Sequence, residues 1–185
     1  MEPRELALPL TRGQLDIWLS QESGLAATEW QLGLLVRANG PVLRDVLRQA
    51  IRQVVYEAEP GRVAFTEIGG SIVQRPIDYP DVGLDFYDLI ESEDPARNVR
   101  RLATAIQHAP MPLTGPLFKF ALFQTRVDEF YLFGCCHHIA MDGLGMALVC
   151  RRIATIYSAL VAGEEVPPAY FGSLRDLVEL ETAYA

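Results

Sequence analysis

The stretch Phe130-Tyr131-Leu132-Phe133-Gly134-Cys135-Cys136-His137-His138-Ile139-Ala140-Met141-Asp142-Gly143 constrains the fold more than any other. Residues 130–136 are a short, continuous, β-prone apolar run, which predicts a strand buried on both faces. From Leu144 onward Val149, Ile153, Ile156 and Leu160 return at helical spacing and predict a helix over 143–160. His137 and His138 therefore stand where a strand leaves a sheet, and Asp142-Gly143 stands where a helix begins. Such junctions let rigid elements hold polar groups at the rim of a cleft. Adjacent strand side chains point to opposite faces, so one histidine is expected to turn inward as a brace and the other to face the cleft. The bland alternative, that the pair are satisfied core groups and Asp142 no more than an N-cap, stands level with this on local physics alone. Cys135, Cys136, His137 and His138 alternate faces and cannot converge on one tetrahedral ion, so no metal site is expected.

The rest of the chain alternates helices and strands. Thr11 and Gln14 form a T-x-x-Q capping box ahead of a first helix whose apolar face is expected to be Leu15, Trp18 and Leu19. Residues 32–38 read as a strand, and Pro41 leads into a helix over 42–55 with a clean apolar stripe. Residues 63–67 and 71–75 flank Gly69-Gly70, a two-residue hairpin signal. The acidic stretch 76–89, with Asp78, Asp81, Asp85 and Asp88, reads as a solvated loop. Asp94-Pro95 opens a helix over 95–108, with His108 placed to serve its C-terminal dipole. Residues 117–124 and 129–136 predict an antiparallel hairpin that delivers the histidines. Ser173 with Asp176 starts a last helix.

The spacing His137-His138-x-x-x-Asp142-Gly143 resembles the His-His-x-x-x-Asp-Gly signature of the condensation domains of nonribosomal peptide synthetases, within the chloramphenicol-acetyltransferase-like acyltransferases. Thr11-x-x-Gln14 followed by Trp18 resembles the family's first motif, and Pro112-Leu113 with Pro116-Leu117 resembles its lead-in to the histidine hairpin. The second motif, Arg-His-Glu-x-Leu-Arg-x-x-Phe, survives only as Arg62-x-x-Phe65, a looseness shared by the siderophore-type branch. These stretches occur in the family's order and cover residues 1–185 as an N-terminal lobe. The family's C-terminal lobe, with its bridging and floor-loop elements, has no counterpart, so the chain is expected to be a piece of a multidomain synthetase.

The resemblance implies an α/β fold, a chloramphenicol-acetyltransferase-like sandwich lobe with a mixed sheet and flanking helices. It implies amide-bond formation between acyl, aminoacyl or peptidyl thioesters, with the isolated lobe inactive. His138 is then the catalytic residue, with His137 and Gly143 supporting it. Asp142 is structural and is expected to pair with Arg62; breaking such a buried pair on one side costs ~3–5 kcal/mol. No cofactor is bound directly, because both substrates arrive on phosphopantetheine arms of upstream and downstream carrier proteins. The other implied partners are the C-terminal lobe and an adjacent adenylation domain. Whether His138 acts as base, as orienting group or as stabiliser of the tetrahedral intermediate stays open at this point. An epimerisation domain shares the motif; a standalone acyltransferase usually keeps only the second histidine; a lobe serving only as a carrier-docking module is the non-catalytic alternative. A heterocyclisation domain replaces both histidines with aspartates and is disfavoured.

Charge and composition set the outer bounds. Half of the 185 residues are apolar, enough for one domain with a sizeable core. A net charge of −8 argues against nucleic acid and anionic membranes as partners. No apolar run reads as a membrane span, and Met1–Glu5 is no signal peptide. Three cysteines, two of them adjacent, make a disulfide framework improbable and point to the reducing cytoplasm.

Overall fold

The computed structural model describes residues 7–23, 27–78 and 82–183. Met1–Glu5, Asp81, Tyr184 and Ala185, all touched on above, lie outside the described residues. In chain order the elements are β1 (Leu8–Pro9), α1 (Arg12–Glu22), β2 (Gln31–Asn39), α2 (Arg44–Glu57), β3 (Val63–Ile68), β4 (Ser71–Pro76), β5 (Leu84–Asp88), α3 (Pro95–His108), β6 (Phe118–Arg126), β7 (Glu129–His137), α4 (Gly143–Ala162) and α5 (Leu174–Ala183).

The strands form two sheets. A mixed four-stranded sheet runs β2-β7-β6-β5, with β5 parallel to β6 and the other pairs antiparallel. A smaller sheet runs β1-β4-β3. Its hairpin turns at Gly69 and Gly70, both at positive φ (62° and 81°), where a Cβ would be strained.

Side-chain alternation sorts the four-stranded sheet into two apolar layers. Phe118, Phe120 and Leu122 of β6 and Cys136 of β7 face α2 and α4, meeting Ile51, Val54, Val149, Ile153 and Ile156. Ala121 and Phe123 of β6, with Phe133 and Cys135 of β7, face α3 through Val99 and Ala103. Helix α4 lies close on the sheet: a Cβ at Gly134 would sit 2.4 Å from Met146 Cε. The helix that starts at the histidine motif is thereby fixed against the strand that ends there.

Three expectations need correction. Residues 84–88 are a strand and not a loop. Asp85 and Asp88 stay exposed on this edge while Leu84, Phe86 and Tyr87 pack on the cores, so the acidic run masked a sheet edge. Leu15 and Leu19 of α1 are 44% and 54% exposed, and the buried residue of that helix is Gln14. Its amide exchanges hydrogen bonds with the buried Gln74 amide at 2.9 and 2.8 Å, so of the expected apolar face Trp18 alone packs on the core and a polar pair stands beside it. Helix α4 has the length and mean hydropathy, 1.5, of a bilayer span, against the expectation that no such run exists. Here it is a core helix, and Arg152 within it is held by Glu57 at 2.7 Å.

Candidate active site

Strand β7 ends at His137, which pairs with Gln31 across β2. The chain then turns, closed by Ala140 N–H donating to His137 O at 2.9 Å. His138 sits on that turn, its backbone N–H donating to Trp30 O at 2.6 Å. Asp142 follows as N-cap of α4, its Oδ1 accepting from Gly145 N–H at 2.8 Å. Gly143 is the first residue of α4 and lies against Leu32.

The two histidines have opposite surroundings. His137 is fully buried. Its Nδ1 accepts from Ile139 N–H at 3.2 Å, which places the proton of the neutral ring on Nε2. Gln21 Nε2 lies 2.8 Å from that Nε2; two N–H donors cannot pair, so the side-chain amide turned over presents its oxygen to the ring N–H. Burial, with the charges of His138 and Lys119 adding to it, pushes the His137 pKa down to about 4. It is a neutral brace.

His138 is half-buried, its ring edge-on to Trp30 with centroids 6.3 Å apart. Among the described residues its ring makes no hydrogen bond. It lines a cleft of about 230 Å³ walled by Thr11, Gln14 and Ile17 of the first helix region, by Asp142, and by Leu174 and Leu177 of α5. Glu181 of α5 accepts from Arg12 N–H, so the two walls of the cleft are tied together.

Arg62 does not pair with Asp142. Its Nε and Nη1 donate to Tyr56 O at 2.9 Å and Ile77 O at 3.0 Å, and Nη2 lies 3.6 Å from Glu59. Glu59 in turn accepts from Leu174 N–H at 2.8 Å, at the start of α5. The guanidinium thus shapes the cleft through α5, and Asp142 needs no cation because an exposed carboxylate is satisfied by the helix terminus and water.

Sequence reading missed Gln21, Trp30 and the Glu57–Arg152 ion pair, all separated in the chain from the groups they hold. A legible signal existed for the last: Arg152 falls on the apolar stripe of α4, and a charge there needs a partner. A second cavity, about 140 Å³, lies along β2 away from the histidines, between Val36, Leu47, Leu132, Ile153 and Tyr157. Cys150 lines it, but burial pushes this thiol up to about 11 and leaves it unreactive at neutral pH.

Comparison with known proteins places this geometry. The chain is 33% identical over 184 residues to dimodular nonribosomal peptide synthase of Bacillus subtilis (strain 168), covering 99% of this chain and 8% of that protein. It is 29% identical over 175 residues to enterobactin synthase component F of Escherichia coli O157:H7, covering 93% of this chain and 14% of the relative. Among solved structures, the starter condensation domain of rhizomide synthetase superposes with a TM-score of 0.91 at 30% identity, over 98% of this chain and 42% of that one. The first condensation domain of the CDA synthetase superposes at 0.89 with 29% identity, over 96% of this chain and 46% of that one. The chain therefore spans under a sixth of these synthetases and under half of these solved chains. The Condensation domain family model matches residues 5–185, and the chain belongs to that family.

Proposed function

We propose that this chain is the histidine-bearing N-terminal lobe of a domain that forms amide bonds between carrier-bound thioesters. The observation that carries the reading is His138: a ring with no hydrogen bond to a described residue, held at the wall of a cleft by a braced turn. In the reaction an amine nitrogen attacks a thioester carbonyl. The C–N bond forms, the C–S bond breaks, and the sulfur leaves as the carrier's thiol. The ammonium proton must go before or during attack, and His138 is the group placed to accept it. The thioester is already activated, so a base contributes on the order of 10²–10⁴-fold. Alignment of the two reactants contributes more, about 7–11 kcal/mol of barrier.

The partners follow from that chemistry. Donor and acceptor arrive on phosphopantetheine arms of an upstream and a downstream carrier protein, with no cofactor held by the lobe itself. A second lobe supplies the facing wall of the cleft, and an adenylation domain loads the acceptor. A starter condensation domain among the structural relatives was solved with C8-CoA and Leu-SNAC, an acyl thioester and an aminoacyl thioester, which supports an acyl donor as well as a peptidyl one. Three free thiols suit a reducing cytoplasm.

The test supplies donor- and acceptor-loaded carrier proteins to residues 1–185 alone and to the same chain joined to a second lobe of a condensation domain. Amide forms only with the joined protein and disappears with His138→Ala. Turnover by residues 1–185 at the joined protein's rate refutes the need for a facing wall. An unchanged rate in His138→Ala refutes the role of that ring.

A further inference from the structure

The reaction leaves one charged group unexplained. Lys119 is the only lysine in the chain, all other basic side chains being arginine or histidine. It stands in the middle of apolar β6, on the face turned toward α3 and opposite Cys135 of β7. Its ammonium donates to Gln31 Oε1 at 2.9 Å, to Ile106 O at 3.1 Å and to Ala109 O. Three donors meet three acceptors, a match for a compact ammonium and not for the planar fork of an arginine. Two of the acceptors are carbonyls at the C-terminal end of α3, the negative end of its dipole.

The same cluster fastens the start of β2. Gln31 Nε2 donates to Ala109 O at 3.0 Å, and Gln107 Nε2 donates to Gln31 O at 3.0 Å. The residue before Gln31 is Trp30, whose carbonyl accepts the His138 backbone N–H and whose ring stands against the His138 ring. We propose that Lys119 is a positioning residue for His138: its ammonium locks the end of α3 to Gln31, and Gln31 holds Trp30 as the backstop of the catalytic turn. The proposal rests on the reading of His138 as the catalytic ring. Burial lowers the Lys119 pKa from the ordinary lysine value, and the nearby Cys135 thiol offsets part of this.

A single lysine makes the test direct. The chain is labelled with ε-¹⁵N lysine and ring-¹³C histidine and observed by NMR. At neutral pH the ammonium gives one slowly exchanging cross-peak. Lys119→Met shifts and broadens the Trp30 indole and His138 ring signals. Lys119→Arg does the same, because the fork cannot meet the three acceptors. Gln107→Ala, which removes only the bond to Gln31 O, moves the same signals by less, and it serves alone if Lys119→Met does not fold. Val149→Ala, a core truncation on the other face of the sheet, leaves them in place although it lowers stability. In a complete condensation domain Lys119→Met lowers kcat on the order of 10²-fold with KM little changed, the expected cost of misplacing a catalytic group. The proposal is overturned by an ammonium that exchanges like a solvated lysine. It is equally overturned by unmoved Trp30 and His138 signals in the Lys119 and Gln107 variants, or by equal movement in Val149→Ala. The NMR readouts need no amide product, so failure of the functional reading leaves them standing.

Discussion

His137 is expected to make the lobe sensitive to acid, by an amount its surroundings allow to be worked out. In the native chain Nδ1 accepts from Ile139 N–H while the Gln21 amide stands against Nε2, so a second ring proton would face a donor in a site closed to solvent. That cost appears as a pKa pushed down to about 4, burial being its largest cause, whereas the unfolded imidazole titrates near ~6.5. The folded-state value is the lower one, so between these limits the unfolded chain binds more protons than the native chain. Stability contributed by the neutral ring is therefore complete above about pH 6.5 and is lost as pH falls toward about 4. The linkage integral gives a loss of about 1 kcal/mol between pH 7 and pH 5.5, and about 3 kcal/mol by pH 4. Urea unfolding at several pH values measures it, and His137→Gln removes the titrating ring while keeping a donor and an acceptor. All other titrating groups are common to both proteins, so the difference between wild type and variant isolates the histidine. The wild-type stability should fall toward that of the variant by about 1 kcal/mol at pH 5.5. Parallel profiles from pH 7 to pH 5 would show that His137 is not held neutral, and the brace assigned to it would fail.

Two further outcomes test the surroundings of the site. Glu57→Gln strands the buried Arg152 guanidinium, now bound through two bonds at 2.7 and 2.9 Å, and should cost about 3–5 kcal/mol in chemical denaturation. A cost below about 1 kcal/mol would mean the pair behaves as a surface ion pair. Asp142→Ala removes one helix cap and should cost only about 1 kcal/mol, with Asp142→Asn nearly neutral. A loss several-fold larger in thermal or urea unfolding would restore a buried ion-pair role for this carboxylate.

The parts of the fold that could be read from sequence are those governed by local chemistry. Asp94 caps α3 by accepting from Arg97 N–H, and Thr11 with Gln14 forms both bonds of the capping box, as their side chains dictate without reference to the rest of the molecule. The β6–β7 hairpin and the long helix after it are likewise set by short-range pattern. What escaped reading depends on tertiary partners. Asp85 and Asp88 look like loop residues until β6 is seen to pair beside them on one side only. Gln14 looks like a capping group until Gln74, 60 residues on, satisfies the far side of its amide. The site divides in the same way. The His-His-x-x-x-Asp-Gly spacing names the turn, whereas Gln21 and Trp30, which decide what each histidine can do, come from before β2.

The failed Arg62–Asp142 pairing shows how a motif match can mislead about contact while still marking the right neighbourhood. An arginine supplies five donors in a fixed fork, and the carbonyls of Tyr56 and Ile77 already occupy two of them within the strand connection. The remaining edge turns to Glu59, close in sequence, at a far smaller loop-closure cost than Asp142. Glu59 then accepts from Leu174 N–H, so the guanidinium still reaches the cleft, by way of α5 rather than through the histidine turn. Asp142 is left exposed at the N-terminus of α4, where a carboxylate is stable without a cation. Around the turn that presents His138 the bonds run to Trp30 O, from the Ile139 N–H to the His137 ring, and from Gly145 N–H to the Asp142 carboxylate that caps α4. Salt should accordingly change the placement of His138 little, because among the described residues no exposed ion pair secures this turn and screening falls mainly on such pairs.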